Sequence, residues 1–315
     1  MKKNIQRLTE GAVLLAAYSV LLLITMYIPL LGMIVNFFLP LPFILFYAKN
    51  DTKTSFVFLI ASVVISLVAG SIFAVPLALA YGLTGAVMGY LIREQKNRGT
   101  VFIAGSLVFL LNLIIQYIVA VTFFQINFIE EMMKMFRESV DMSLEMLESI
   151  GKDPGQKAAE QLLSSVDMIE TLMPSLFVVV SFINVFLIQL VSLPILKRFG
   201  VRIGKWKAFK DLTLPKNLLW YYLAVLLISM AVNPEEGSYL FSALLNLSFI
   251  LQLCMIVQGL SFVFYFSSIK GYSAAIPVTV TILSLLLPII LYVVRILGII
   301  DLGFDLRQRL KNNHK

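Results

Sequence analysis

Residues 125–172 read QINFIEEMMKMFRESVDMSLEMLESIGKDPGQKAAEQLLSSVDMIETL, the one long hydrophilic interruption in a chain otherwise built of apolar runs. It carries Glu130, Glu131, Glu138, Asp141, Glu145, Glu148, Asp153, Glu160, Asp167 and Glu170 against only Lys134, Arg137, Lys152 and Lys157. Ile129, Met132, Met133, Phe136, Val140, Leu144 and Leu147 recur at helical spacing and so share one face. The run Gly151-Lys152-Asp153-Pro154-Gly155 breaks the pattern, and Ala159, Leu162, Leu163, Val166 and Ile169 resume it. This predicts an amphipathic helical hairpin. Its acid disfavours anionic lipid, so its apolar faces are expected to pack on each other or over the mouth of the membrane helices. The hairpin is either a plain connector or a lid.

Outward from it the chain is oily in both directions. Ala12–Ile28, Leu31–Ala48, Phe56–Val75, Leu77–Ile92 and Val101–Phe124 precede it; Met173–Leu196, Leu218–Val232, Leu240–Ser267 and Ala274–Ile300 follow. A helix rising about 1.5 Å per residue needs roughly 20 residues to cross a hydrocarbon core, and most of these runs approach that length. Pro40 and Pro42 should kink the second run, Pro76 marks a turn between the third and fourth, and Pro277 and Pro288 interrupt the last. The expected fold class is an all-α polytopic transmembrane bundle of eight or nine hydrophobic segments. In chain order it divides into a five-span half (1–124), the hairpin (125–172) and a second half (173–315) containing the basic loop 197–216.

Composition agrees. The chain is 59% hydrophobic and 14% charged, against about 25% charged in soluble proteins. Its net charge of +7 is not a nucleic-acid footprint, because most of it sits in short loops beside apolar runs, where Lys and Arg set orientation. The first run is too long for a signal-peptide core and is read as a retained helix. A cytoplasmic N-terminus in a bacterial cell membrane puts the basic loops near residues 50, 95 and 205 inside, and the acidic hairpin and Glu235-Glu236 outside. Nine crossings would then leave Arg307, Arg309, Lys311 and Lys315 outside, against the same rule. One proline-interrupted segment, 274–300 or 31–48, is therefore expected to be re-entrant or interfacial.

Residues that could carry chemistry are few. There is no phosphate-binding Gly-x-x-x-x-Gly-Lys-Ser/Thr loop, no His-Glu-x-x-His, no Gly-x-Ser-x-Gly, and the single histidine is His314. The single cysteine, Cys254, lies in an apolar run. The chain is thus expected to be no enzyme and to hold no metal or cofactor, and any coupling to ATP must come from another protein. Polar side chains inside spans are the remaining signal, since each needs a protein partner or a wet cavity. Asn112 and Gln116 share a helix face, and Asn184 and Gln189 follow in the sixth span; Asn36, Asn246, Gln252 and Gln258 lie in others. They read either as glue between helices or as ligands for a small uncharged solute, with Asn112, Gln116 and Asn184 as the candidate pocket. Gly82, Gly85 and Gly89 form a small-residue stripe, and Ala12 and Ala16 a weaker one. Such stripes serve internal packing or the docking of a partner helix. Arg295, near the end of its run, is expected to snorkel.

With its Ala12-x-x-x-Ala16 helix, its Leu39-Pro40-Leu41-Pro42 break and its glycine-rich fourth span, the N-terminal part resembles the substrate-binding S component of energy-coupling-factor transporters. That resemblance implies a transmembrane coupling subunit with ATPases as partners, contacted through Ala12 and Ala16. The hairpin and the segments after Leu196 depart from it. The whole chain is more similar to the YybS-like family of uncharacterised membrane proteins of Gram-positive bacteria, on Gln258-Gly259-Leu260 and Gly298-Ile299-Ile300-Asp301-Leu302-Gly303-Phe304-Asp305-Leu306-Arg307. The reading is a transporter-like subunit for a small solute. The alternative is a membrane scaffold or regulatory protein that recruits envelope or signalling partners.

Overall fold

Several apolar runs begin at residues that can cap a helix. In the computed structural model, which describes residues 2–150 and 155–312, a side-chain oxygen of Asp51 accepts from Thr54 N at 3.1 Å, that of Asn97 from Thr100 N at 2.8 Å, and that of Ser238 from Phe241 N at 3.1 Å. Each satisfies a backbone donor that the first helical turn leaves free. The helices are α1 (Lys2–Tyr27), α2 (Pro29–Val35), α3 (Leu41–Lys49), α4 (Thr52–Gly70), α5 (Ala74–Arg93), α6 (Arg98–Phe124), α7 (Phe128–Ser149), α8 (Gly155–Thr171) and α9 (Met173–Arg198), followed by α10 (Asn217–Val232), α11 (Tyr239–Ile269), α12 (Ala275–Leu286), α13 (Pro288–Phe304) and α14 (Leu306–Asn312). Seven of the apolar helical stretches are long enough to cross a membrane, α10 is a shorter one, and α12 with α13 forms a bent pair. The protein is all-α and polytopic.

The kink expected at Pro40 and Pro42 is real and wider than a kink: a 3-10 turn at Asn36–Phe38 separates α2 from α3. Pro76 is not the turn residue. Helix α4 stops at Gly70, Ser71 turns the chain at φ 63°, and Pro76 falls in the first turn of α5, where a missing N–H leaves no bond unmade. The hairpin forms as α7 and α8; Gly151–Pro154 of its expected break lie outside the described residues. Its apolar faces are only partly covered. Met133 and Val166 are buried, while Met132, Phe136, Leu162 and Ile169 stay exposed. The two helices are joined on their polar flank instead, where Arg137 bridges Asp167 at 3.0 Å and Glu170 at 2.9 Å.

Two compact units result, and they cut across the chain-order division. The first takes the chain up to Met135 and adds Leu176–Trp206; the second is Phe136–Ser175 with everything from Lys207 onward. In the first, α5 lies so close to α3 that a methyl group on Gly85 would stand 2.8 Å from the Pro40 carbonyl oxygen, and one on Gly89 2.6 Å from that of Ile44. Gly82 faces Leu59 and Phe43 in the same way. The glycine stripe is therefore used for packing within this unit. Ala12 and Ala16 are exposed on α1. Tyr18, Phe43 and Phe58 stack edge to face beneath, with ring centroids 5.0 and 5.5 Å apart.

In the second unit, α11 and α13 run parallel, because Gln252 meets Arg295, Met255 meets Gly298 and Gln258 meets Asp301 in step. Helix α12 leaves from the end of α11, and a 119° bend at Leu287 sends α13 back. The bent pair is either a broken span or a re-entrant loop, and it falls on the segment 274–300. Arg307 and Asp305 end beside the basic loop, bonded to Lys210 and Lys216. In a Cys254→Ser background, single cysteines at Lys207→Cys and Gln308→Cys should react with an impermeant maleimide from one face of the membrane and Glu236→Cys from the other. Grouping of Gln308→Cys with Glu236→Cys would instead make α12 and α13 a full crossing.

Candidate functional site

In the first unit the break between α2 and α3 exposes Asn36 to its neighbours, and its amide donates to the Tyr81 hydroxyl of α5 at 2.5 Å. Asn184 of α9 lies beside the same hydroxyl, and Tyr81 packs against Phe109 of α6 with centroids 5.5 Å apart. Four segments thus converge on one phenol. Beside it the amide oxygens of Asn36 and Asn184 are buried with no hydrogen-bond partner, as are the hydroxyls of Thr84 on α5 and Ser106 on α6. Farther along α9, and apart from this group, both polar atoms of Gln189 and the hydroxyl of Ser192 are also buried and unmatched. A buried polar atom left unmatched costs about 1–3 kcal/mol, so the seam of groups beside Tyr81 holds the candidate hydrogen-bonding positions of this unit. All the groups are uncharged, and the seam can offer only hydrogen bonds.

The three pocket residues expected from sequence separate. Asn184 sits in the seam. Asn112 spends its amide on the Val108 carbonyl of its own helix at 2.8 Å, and Gln116 donates to the Pro76 carbonyl at 2.9 Å. Asn36 stood out in the sequence as a polar residue within a span, while Tyr81, Thr84 and Ser106 did not. Only their polarity inside apolar runs hinted at them, and hydroxyl residues are common in membrane helices.

The second unit is organised differently, because its buried polar groups are matched. Asp301, 4% exposed, accepts from Gln258 Nε2 at 2.6 Å and from Arg307 Nε at 2.9 Å. Gln258 Oε1 takes the Leu214 N–H at 2.9 Å. Arg307 also donates to Ser261 Oγ at 3.0 Å and to the Lys210 carbonyl at 2.7 Å, and lies over the Tyr265 ring. The Ser261 hydroxyl lies 2.7 Å from the carbonyl oxygens of both Phe209 and Leu212. The clamp is possible because Gly259 and Gly298 let the two helix backbones touch; an added methyl on either would overlap a carbonyl oxygen of the other helix. Arg295, expected to snorkel, donates to Gln252 Oε1 at 2.7 Å instead. Among the described residues no group of three or more His, Cys, Asp or Glu side chains could hold a metal ion.

Gln258, Gly259, Gly298, Asp301 and Arg307 of this clamp fall in the two C-terminal stretches singled out by sequence. The family model described as predicted membrane protein (DUF2232) matches residues 16–302. The chain belongs to this family. The uncharacterised protein YybS of Bacillus subtilis (strain 168) is 31% identical over 314 residues, covering 98% of this chain and 100% of that protein. No solved structure matches the chain.

Removing one partner of a buried ion pair strands the other charge and costs about 3–5 kcal/mol. Asp301→Ala should therefore lower the thermal unfolding midpoint in detergent sharply. Asp301→Leu combined with Arg307→Met should restore most of the loss, as followed by intrinsic fluorescence; equal damage from the double variant would deny that a charge pair holds this corner.

Proposed function

We propose that this integral membrane protein is a non-enzymatic, transporter-like subunit whose first unit binds a small, mostly uncharged solute entering from the outside. The observation that carries the reading is the seam of buried, unmatched and uncharged hydrogen-bonding groups around Tyr81, Asn36 and Asn184. A ligand rich in hydroxyl and amide groups would satisfy it at little electrostatic cost. Six of the seven long apolar stretches feed this unit, which agrees with the resemblance to an energy-coupling-factor S component. The exposed Ala12 and Ala16 on α1 supply a small-residue face suited to a transmembrane coupling subunit with ATPases. With the N-terminus cytoplasmic, eight crossings and a re-entrant pair put the basic loops and the tail inside and the acidic hairpin outside, which satisfies the orientation rule throughout.

A second reading, a scaffold that recruits envelope or signalling partners, is favoured by one observation. The quoted C-terminal residues Gln258, Gly259, Gly298, Asp301 and Arg307 are spent on holding the second unit together and none lines the seam.

Purified protein screened against vitamins and nucleosides should show one compound that raises its melting temperature. Asn184→Ala should abolish that rise and Asn112→Ala should leave most of it, because Asn112 is turned to its own helix. No stabilising compound across such a panel, together with mild-detergent pulldown of envelope proteins and no ATPase, would move the weight to the scaffold.

A further inference from the structure

A second cavity in the first unit lies away from Tyr81, between the start of α6 and the C-terminal half of α9. It measures about 260 Å³ and is lined by Arg98, Phe186, Gln189, Leu190, Leu193, Pro194 and Trp206. Its construction is unlike that of the seam. Gln189 is 2% exposed and neither its oxygen nor its nitrogen has a partner. Arg98 Nε is likewise buried and unmatched, and no carboxylate stands in the lining. The neighbouring cavity near Lys49 and Arg93 offers no such demand, since Lys49 is paired with Glu10 and Arg93 is bonded to Asn50 O and Thr52.

The walls say from where this demand is met. Phe186 and Leu190 are exposed at 45% and 61% on a helix of membrane-spanning character, so the cavity opens toward acyl chains. Trp206 closes the other side. Its position is set by Gly204, which lies so close to the turn between α5 and α6 that a methyl group there would meet the Lys96 carbonyl oxygen at 2.7 Å. The Trp206 ring stacks near Phe102 and Phe186, at 5.9 and 6.2 Å between centroids, an amphipathic aromatic at the level where such rings favour the membrane interface. Arg98 is the first residue of a long helix and therefore stands at that level too, with the helix's positive end beside it. A phosphate group would match the buried Arg98 Nε and Gln189 together, with a charge opposite to that of the guanidinium.

We propose that this cavity holds the phosphate head group of an anionic phospholipid. Arg98 supplies the charge, Gln189 donates to a phosphate or glycerol oxygen, and Phe186, Leu190 and Trp206 bracket the first carbons of an acyl chain. The basic loop residues Lys197, Arg198, Arg202 and Lys205 draw anionic lipid to this end of the unit. The site is independent of the solute reading.

Native mass spectrometry of the full chain in mild detergent tests it, with dioleoyl phosphatidylglycerol, dioleoyl phosphatidylcholine and inorganic phosphate as probes. Phosphatidylglycerol should be retained about tenfold better than phosphatidylcholine, whose choline ammonium offsets the phosphate charge that Arg98 meets. Arg98→Gln should erase the advantage, and Arg98→Lys should keep part of it; the lysine variant carries the comparison if the glutamine variant does not fold. Gln189→Leu should weaken retention of phosphatidylglycerol yet raise the melting temperature in lipid-free detergent, since it removes an unmatched amide. A purely structural glutamine would give a lower melting temperature, which would overturn its assigned part. Equal retention of the two lipids, unchanged retention in Arg98→Gln, or displacement of phosphatidylglycerol by equimolar inorganic phosphate would each overturn the lipid assignment, the last in favour of a soluble phosphate ligand.

Discussion

Inside a bilayer the hydrophobic effect does not press one helix on another, because lipid tails are as apolar as leucine. What holds helices there is contact between backbones, and both units depend on it at a few glycines. Gly85 and Gly89 bring α5 against the carbonyls of α3, and Gly259 and Gly298 bring α11 against α13. At these places van der Waals contact is dense on both sides, and no side chain other than hydrogen fits. The glycines cost helix propensity, about 1 kcal/mol each relative to alanine, and the close approach offsets it.

Given that approach, the two units treat polar groups in opposite ways. Around Asp301 and Arg307 every donor named has an acceptor, and the result is a closed knot that fixes the basic loop to the helices. Among the described residues, all buried side-chain polar atoms without a partner lie in the first unit. Each such atom is costly where water is scarce, so the polar groups of the first unit are where its packing differs most from that of the second.

Much of this architecture was legible in the sequence, because hydropathy and helical periodicity are local signals. The runs from residue 12 to 124, the amphipathic hairpin and the break near Pro40 follow from neighbours in the chain, whereas the charge of the loops left both 274–300 and 31–48 open as the re-entrant or interfacial segment. The pairings were not legible. Asn36, Tyr81 and Asn184 meet across three segments, and nothing in the sequence around Asn112 or Gln116 reveals that each turns to a backbone carbonyl. Gly82, Gly85 and Gly89 announced a close contact without naming α3 as the partner. Pro76 misled because a proline suits both a turn and the first turn of a helix. The clamp residues stood out only as a family resemblance, and their chemistry appears once Gln258, Asp301 and Arg307 are seen together.

The Arg307 contact to Lys210 joins residues 97 positions apart, and that span contains α10, α11, α12 and α13. A growing chain delivers Lys210 long before Arg307, at a pace of about 5–20 residues per second. Loop 207–216 and Gln258 must therefore wait several seconds with their bonding groups open while four helices are threaded into the membrane. The knot therefore closes only after the last of these helices has left the ribosome.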